Sequence, residues 1–311
     1  MKNKETSETM HASGPPTIPA KTILSRNKTT QWFGCEFNMN LYRGCCHGCI
    51  YCDSRSDCYR IDNFDTVRQK QDALRLLRDE LARKIDRGVV ATGAMSDPYN
   101  PFEKKTLLTR HALELLNAYG FGVAIDTKSD LITRDIDLLQ EIQEHSPVLC
   151  KITVTTPYDE LSAAIEPHAP SSSARLATVK KLADNGLFSG VLLMPVLPWL
   201  EDSDQAIGEL VDRVAEAGGR FVYPAFGVTM RSGQREYFLS RLDTAFPEQQ
   251  YGKKYRQHFG NRYYCASPRA KQLDKLFKEK CAKNGLLYRM QDIVNGYRAG
   301  KKIGQQLSFF T

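Results

Sequence analysis

Six short apolar runs alternate with five segments of helical period, and this regular beat constrains the fold more than any other feature of the chain. The runs fall at Phe37 to Tyr42, Val89 to Thr92, Phe121 to Asp126, Val148 to Thr155, Phe188 to Met194 and Phe221 to Ala225. Between them apolar residues recur three and four apart: Leu74, Leu77, Leu81, Ile85; Leu108, Ala112, Leu115; Ile136, Leu139, Ile142; Leu176, Val179, Ala183; Ile207, Leu210, Val214. Strict alternation calls for a parallel sheet with crossover helices, and near-continuous apolar strands call for a sheet covered on its faces. A closed or partial barrel accommodates so uniform a repeat more simply than a doubly wound sheet.

Polar groups should then gather at the carboxyl ends of the strands, where parallel sheets bind ligands. They do. A cysteine-rich loop follows the first run, Ser96-Asp97-Pro98-Tyr99-Asn100-Pro101 the second, Thr127-Lys128-Ser129 the third, Thr153 to Thr156 the fourth and Pro195 to Pro198 the fifth. Each taken singly reads as ordinary turn or strand chemistry. Their common position would ring one mouth.

In the first of these loops Cys45, Cys49 and Cys52 are spaced Cys-x3-Cys-x2-Cys. Three thiolates so close suit an iron-sulfur cube, which usually takes four, and so leave one iron open for another ligand. Gly44 and Gly48 permit the positive-φ turns that point three sulfurs inward. Two other registers remain open. Cys46, Cys49 and Cys52 also spell Cys-x2-Cys-x2-Cys, and any four of Cys45, Cys46, Cys49, Cys52 and Cys58 are zinc ligands by type.

The nine cysteines are odd in number and clustered at ligand spacing, which fits reduced thiols in a cytoplasmic chain better than disulfides. No apolar stretch approaches the length that crosses a bilayer, and the first thirty residues lack the apolar segment of a secretory signal. Residues 1–30 therefore read as a flexible arm, 31–230 as the barrel and 231–311 as a basic, mainly helical extension. Net charge is +7, but Tyr251 to Thr311 holds fourteen lysines and arginines against three acidic residues, so this segment carries +11 and the preceding 250 residues −4. Tyr251, Tyr255, Phe259, Tyr263 and Tyr264 interleave there with Lys253, Lys254, Arg256 and Arg262. Such a pattern suits phosphate pairing and base stacking, giving residues 251–302 as a nucleic-acid surface, or a solvated helical face with its aromatics turned inward.

The run Asn40-Leu41-Tyr42-Arg43-Gly44-Cys45 with its cysteine loop, Ser96-Asp97-Pro98-Tyr99, Thr127-Lys128-Ser129, and Glu166-Pro167 with Arg175 together resemble the radical S-adenosylmethionine (SAM) superfamily, in the branch of spore photoproduct lyase. The resemblance extends from about Ala20 to the C-terminus. It implies an α/β partial (β/α)6 TIM-type barrel, a 4Fe-4S cluster on Cys45, Cys49 and Cys52, and SAM on the open iron. An electron from a reduced donor would cleave SAM to methionine and a 5'-deoxyadenosyl radical that removes hydrogen from substrate. It further places Tyr51 against the adenine, Ser96 and Asp97 at the SAM amino group, Lys128 at its carboxylate and Thr153 or Thr155 at the ribose. Arg175 is a further cofactor-binding candidate, with Glu166, or the two form a structural ion pair.

Two positions depart from the lyase pattern. Ala94 stands where spore photoproduct lyase has its hydrogen-donating cysteine, and Asp53 where it has a tyrosine. The radical-forming half of the mechanism is therefore expected, possession of the thymine-dimer lyase reaction is not, and a DNA-repair-like reaction on nucleic acid is the leading reading. The rival of a different class is a non-catalytic iron-sulfur or zinc DNA-binding module. The final Gln306-Leu307-Ser308-Phe309-Phe310 resembles the peptide by which bacterial DNA enzymes dock on the replicative sliding clamp.

Overall fold

The computed structural model describes residues 14–84 and 86–300. The expected strands are the six parallel members, in chain order, of one seven-stranded sheet: Phe37–Met39, Val89–Thr92, Gly122–Thr127, Val148–Thr153, Ser189–Leu193 and Val222–Pro224. Register is maintained by Val90 against Val123, Ile125 against Cys150 and Ile152 against Val191. The crossover helices Ala73–Ala82, Leu108–Ala118, Ile136–His145, Ser172–Asp184 and Asp204–Glu216 match the five periodic segments. Ile85, the last apolar position of the first segment, lies outside the described residues.

Alternation of side chains along each strand divides the core in two. One face, with Val90, Val123, Ile125, Cys150, Ile152 and Val191, packs on Leu116, Leu139, Ile142, Val179 and Leu210 of the helices. The other face, with Val89, Ala91, Ala124, Leu149 and Leu192, meets Phe33, Phe221, Ile293 and Tyr297. Asp126 and Lys151, opposed in register, place a buried ion pair of 2.7 Å among these strands, with the ammonium 4.5 Å from the centre of the Phe33 ring.

Two segments are tied more closely to the barrel than the sequence reveals. The flexible arm assigned to 1–30 is, in its described part, tied to sheets: Thr17–Ile18 pairs with Arg68–Lys70, and Leu24–Arg26 pairs antiparallel with Phe37–Met39. Ile23 and Leu24 are buried in the main core, and their N–H groups donate to Glu80, at 2.7 Å for Leu24. An isolated Ile-Leu pair carries no period, so burial by a remote helix was not visible in the sequence. The extension beyond 230 is mainly helical, yet it does not stand apart. Leu273, Phe277 and Cys281 of helix Ala270–Lys283 join the main core, and the Tyr297 hydroxyl donates to the Phe33 carbonyl at 2.7 Å. The clamp-like peptide Gln306 to Phe310 lies outside the described residues.

Candidate active site

The cysteine loop leaves the first barrel strand, and its path depends on two glycines. Gly44 has φ +80°, and a Cβ there would lie 2.4 Å from the Thr66 carbonyl oxygen; Gly48 has φ +72° against Pro167 and His168. The Cys45 N–H donates to the Phe64 carbonyl at 2.8 Å and the Ile50 N–H to the Ile165 carbonyl at 2.9 Å, so the loop is pinned on both sides.

The thiols separate into two sets. Burial pushes Cys45 well above the usual thiol range, and Asp97, Cys49 and Cys52 push it further, which brings the three loop sulfurs into one electrostatic neighbourhood. Cys49 is pushed up to about 12, chiefly by burial. Cys46 shares Asp97 with Cys45 but feels none of the other loop thiols. It is pushed to about 11 by burial and then by Asp97 and Asp65, and it lines a separate cavity with Gly48, Ile50, Pro167 and Arg241. Thiols this costly to ionise need a positive partner to become thiolates. Among the described residues no group of three His, Cys, Asp or Glu side chains is placed to hold one metal ion. A cube takes one thiolate per iron, so its ligands need not converge on a point.

Beside the loop lies a buried charge network. Glu166 and Arg175 form an ion pair with neither side chain exposed. Arg175 also donates to the Thr153 carbonyl at 2.8 Å and the Ser162 hydroxyl at 2.6 Å, while the Tyr51 hydroxyl donates to Glu166. Lys128 Nζ is 3.8 Å from Glu166 Oε1 and 5.6 Å from the Tyr51 ring centre. Burial alone would lower the Lys128 pKa, but Cys49 and Glu166 outweigh it and hold the ammonium charged. Glu201, fully buried, accepts from the Leu197 N–H at 2.8 Å; burial raises its pKa well above the carboxylate range, with a lowering contribution from Thr155.

This geometry sorts the residues expected at the cofactor. Lys128 and Ser96 sit beside the cysteine loop, Lys128 retaining a charged ammonium and the Ser96 hydroxyl donating to the Gly44 carbonyl. Thr153 ends the fourth strand at the same edge. Asp97 has its carboxylate committed: Oδ1 accepts from Tyr99 N–H at 2.9 Å and the Thr127 hydroxyl at 2.7 Å, and Oδ2 accepts from Lys128 N–H at 2.8 Å, with His47 Nδ1 at 3.4 Å. Arg175, expected either as a cofactor contact or in an ion pair, is fully enclosed and forms the ion pair with Glu166. Tyr51 likewise points its hydroxyl at Glu166, and Thr155 is buried next to Glu201 beyond the strand end.

Sequence reading missed Glu201 and Arg231. Arg231 Nε is 3.1 Å from Asp53 Oδ1, Nη1 3.4 Å from the Cys58 sulfur, and Nη2 2.9 Å from the Tyr263 hydroxyl. Asp53 also accepts from the hydroxyls of Tyr59 at 3.0 Å and Thr229 at 2.9 Å. The residue after the third loop cysteine thus anchors the small antiparallel sheet of Gly227–Thr229 with Tyr264–Ala266. Of the interleaved aromatics, Tyr255 and Phe259 are buried with Trp199 and Phe238, whereas Tyr263 and Tyr264 are 54% and 45% exposed.

A parallel partial barrel with a three-thiol loop after its first strand defines a class, and comparison with known proteins agrees. Residues 39–228 match the model of the radical SAM superfamily. The chain belongs to that superfamily. It is an enzyme of the kind that uses a 4Fe-4S cluster and SAM, which removes the non-catalytic module and the zinc reading. It is similar to an uncharacterized protein of Mycobacterium tuberculosis, 34% identical over 238 residues that cover 74% of this chain and 70% of the relative. An uncharacterized protein of Methanocaldococcus jannaschii is 32% identical over 195 residues, covering 62% of this chain and 71% of its own. In fold the chain resembles a spore photoproduct lyase complexed with dinucleoside spore photoproduct, with TM-score 0.61 at 16% identity, covering 85% of this chain and 77% of that one.

Proposed function

We propose that this radical SAM enzyme removes hydrogen from a nucleic-acid substrate laid across the carboxyl edge of the barrel, in the cytoplasm and with electrons from a reduced donor. In this reading Cys45, Cys49 and Cys52 hold the cluster, and Ser96, Lys128 and Thr153 face SAM. When bound, these cofactors supply one-electron cleavage of SAM and hence a carbon-centred radical able to attack an unactivated C–H bond. The chain's own residues do the rest. Lys128 offers a fixed cation to a carboxylate in a site with little water, where opposite charges attract strongly. Asp97 holds the Lys128 backbone, Arg175 and Glu166 hold the end of the fourth strand, and buried Tyr51 and Glu201 keep water from the floor.

The observation that carries the substrate class is the Asp53–Arg231–Tyr263 chain. It ties two exposed tyrosines and a cation to the residue next to a cluster thiol, an arrangement suited to stacking bases and pairing phosphate. Thymine-dimer lyase activity itself is not proposed, because Ala94 and Asp53 supply neither the thiol nor the phenol that return hydrogen in that reaction. The test is transfer of deuterium from deuterated oligonucleotides into 5'-deoxyadenosine by the reconstituted enzyme. Label in the product supports the reading; unlabelled product from single- and double-stranded DNA and RNA alike rejects it. Docking of Gln306 to Phe310 on a sliding clamp is a separate proposal from sequence, tested by pull-down against a chain ending at Gln305, where equal retention discards it.

A further inference from the structure

A cavity of about 220 Å³ opens at the carboxyl edges of the first two barrel strands, walled by Asn40, Arg43, Tyr59, Lys70, Met95 and Ser96. It is too small for a nucleotide, since sites for drug-sized ligands run from about 300 Å³ upward. It does fit one compact polar group and the carbon to which that group is attached.

Two half-buried cations share it. Arg43 Nη2 donates to the backbone carbonyls of Tyr59, at 3.4 Å, and of Arg60, and Lys70 Nζ lies 3.5 Å from the Thr22 carbonyl. Among the described residues neither forms a salt bridge. Glu80 is the carboxylate that Lys70 senses, but its oxygens already accept from the N–H groups of Ile23 and Leu24. Arg43 and Lys70 line the same cavity and repel each other: burial lowers the Lys70 pKa, Glu80 partly restores it, and Arg43 lowers it again. Like charges held together away from bulk water are unfavourable unless an anion enters between them. An arginine fork beside an ammonium is a common donor set for an oxyanion, and Asn40 adds an amide. Ser96 forms part of the same wall, so an anion here lies next to the group that the proposed function sets against SAM.

We propose that Arg43 and Lys70 form a subsite for an oxyanionic group of the substrate, a phosphate or a carboxylate, which holds the adjoining carbon skeleton at the reaction mouth. The placement rests on the proposed SAM position at Ser96, but anion binding at equilibrium is read without SAM cleavage, so failure of the one is distinguishable from failure of the other.

The experiment is calorimetric titration of the reconstituted holoprotein with inorganic phosphate and, separately, acetate at constant ionic strength. Saturable binding is expected, weakened about tenfold or more by Arg43→Gln or Lys70→Met and retained by Lys70→Arg. Binding of phosphate alone points to a phosphate ester, and binding of both admits a carboxylate. As a measurement on unaltered protein, acetylation of Lys70 mapped by mass spectrometry should slow about fivefold in phosphate at four times its Kd, while exposed Lys253 is unaffected. Absence of saturable binding by either anion, equal affinity in both charge-removing variants, or unprotected Lys70 would overturn the assignment.

Discussion

The backbone N–H of Lys128 donates to Asp97 Oδ2 at 2.8 Å, so the acidic residue after the second barrel strand sets the position of the basic residue after the third. Two further donors, the Tyr99 N–H and the Thr127 hydroxyl, reach the same carboxylate, and His47 Nδ1 of the cysteine loop lies 3.4 Å from it. On the proposed placement of SAM against Lys128, Asp97 acts on the cofactor through Lys128 and the loop. Asp97→Asn should leave the cluster in place and raise the KM for SAM about ten- to a hundredfold, as loss of an orienting partner does. Iron content and SAM-dependent kinetics measured together check this; a variant with full iron and unchanged KM would contradict it.

Removing one partner of the Glu166–Arg175 pair strands a charge with no access to water. Arg175→Met should lower stability by about 3–5 kcal/mol, read by denaturant unfolding. The pH dependence follows from the same contacts. Burial would raise the Glu166 pKa, but Arg175 and Lys128 outweigh it and hold the carboxyl below its ordinary range. Its contribution is thus complete above the ordinary carboxyl pKa and is lost as pH falls through the depressed value. Glu166→Gln should flatten the acid limb of the unfolding profile.

Glu201 predicts the reverse. Burial keeps this acid protonated, so its favourable contribution exists at low pH and fades as pH rises above the ordinary carboxyl range, where the unfolded chain ionises and the folded one does not. Glu201→Gln keeps an oxygen for the Leu197 N–H and should gain stability relative to wild type as pH increases from about 5 to 8. Melting temperatures across that range report it, and a constant difference between the two proteins would refute it.

If the two exposed tyrosines stack on bases, Tyr263→Ala and Tyr264→Ala should each weaken binding of a single-stranded oligonucleotide by about 1–3 kcal/mol. Fluorescence anisotropy at fixed salt measures this. Tyr255→Phe, inside the core, should leave the affinity unchanged.

The strand-helix alternation was legible because each barrel strand presents apolar residues to helices on one side and to a filled interior on the other. The loop thiols were legible as a set, and the family resemblance chose Cys45, Cys49 and Cys52; spacing alone left the register open, because it does not reveal which acidic side chains, Asp97 and then Asp65, lie around Cys46. Asp97 and Arg175 had the right residue type beside the right strand ends. Whether a charged side chain faces a ligand or is consumed by its neighbours depends on packing from distant segments. The same holds for Arg231, which meets Asp53 across a separation of 178 residues, and for Ile23 and Leu24, buried by contact with a later helix.

The central claim is that Cys45, Cys49 and Cys52 hold the cluster that drives SAM cleavage while Cys46 stands aside. Four single alanine variants, reconstituted anaerobically and assayed for bound iron and for 5'-deoxyadenosine under reductant, address it directly. Cys45→Ala, Cys49→Ala and Cys52→Ala should each lose the intact cluster and product formation, with Cys46→Ala close to wild type in both. A Cys46→Ala protein without iron, or a Cys45→Ala protein that still cleaves SAM, would contradict the account.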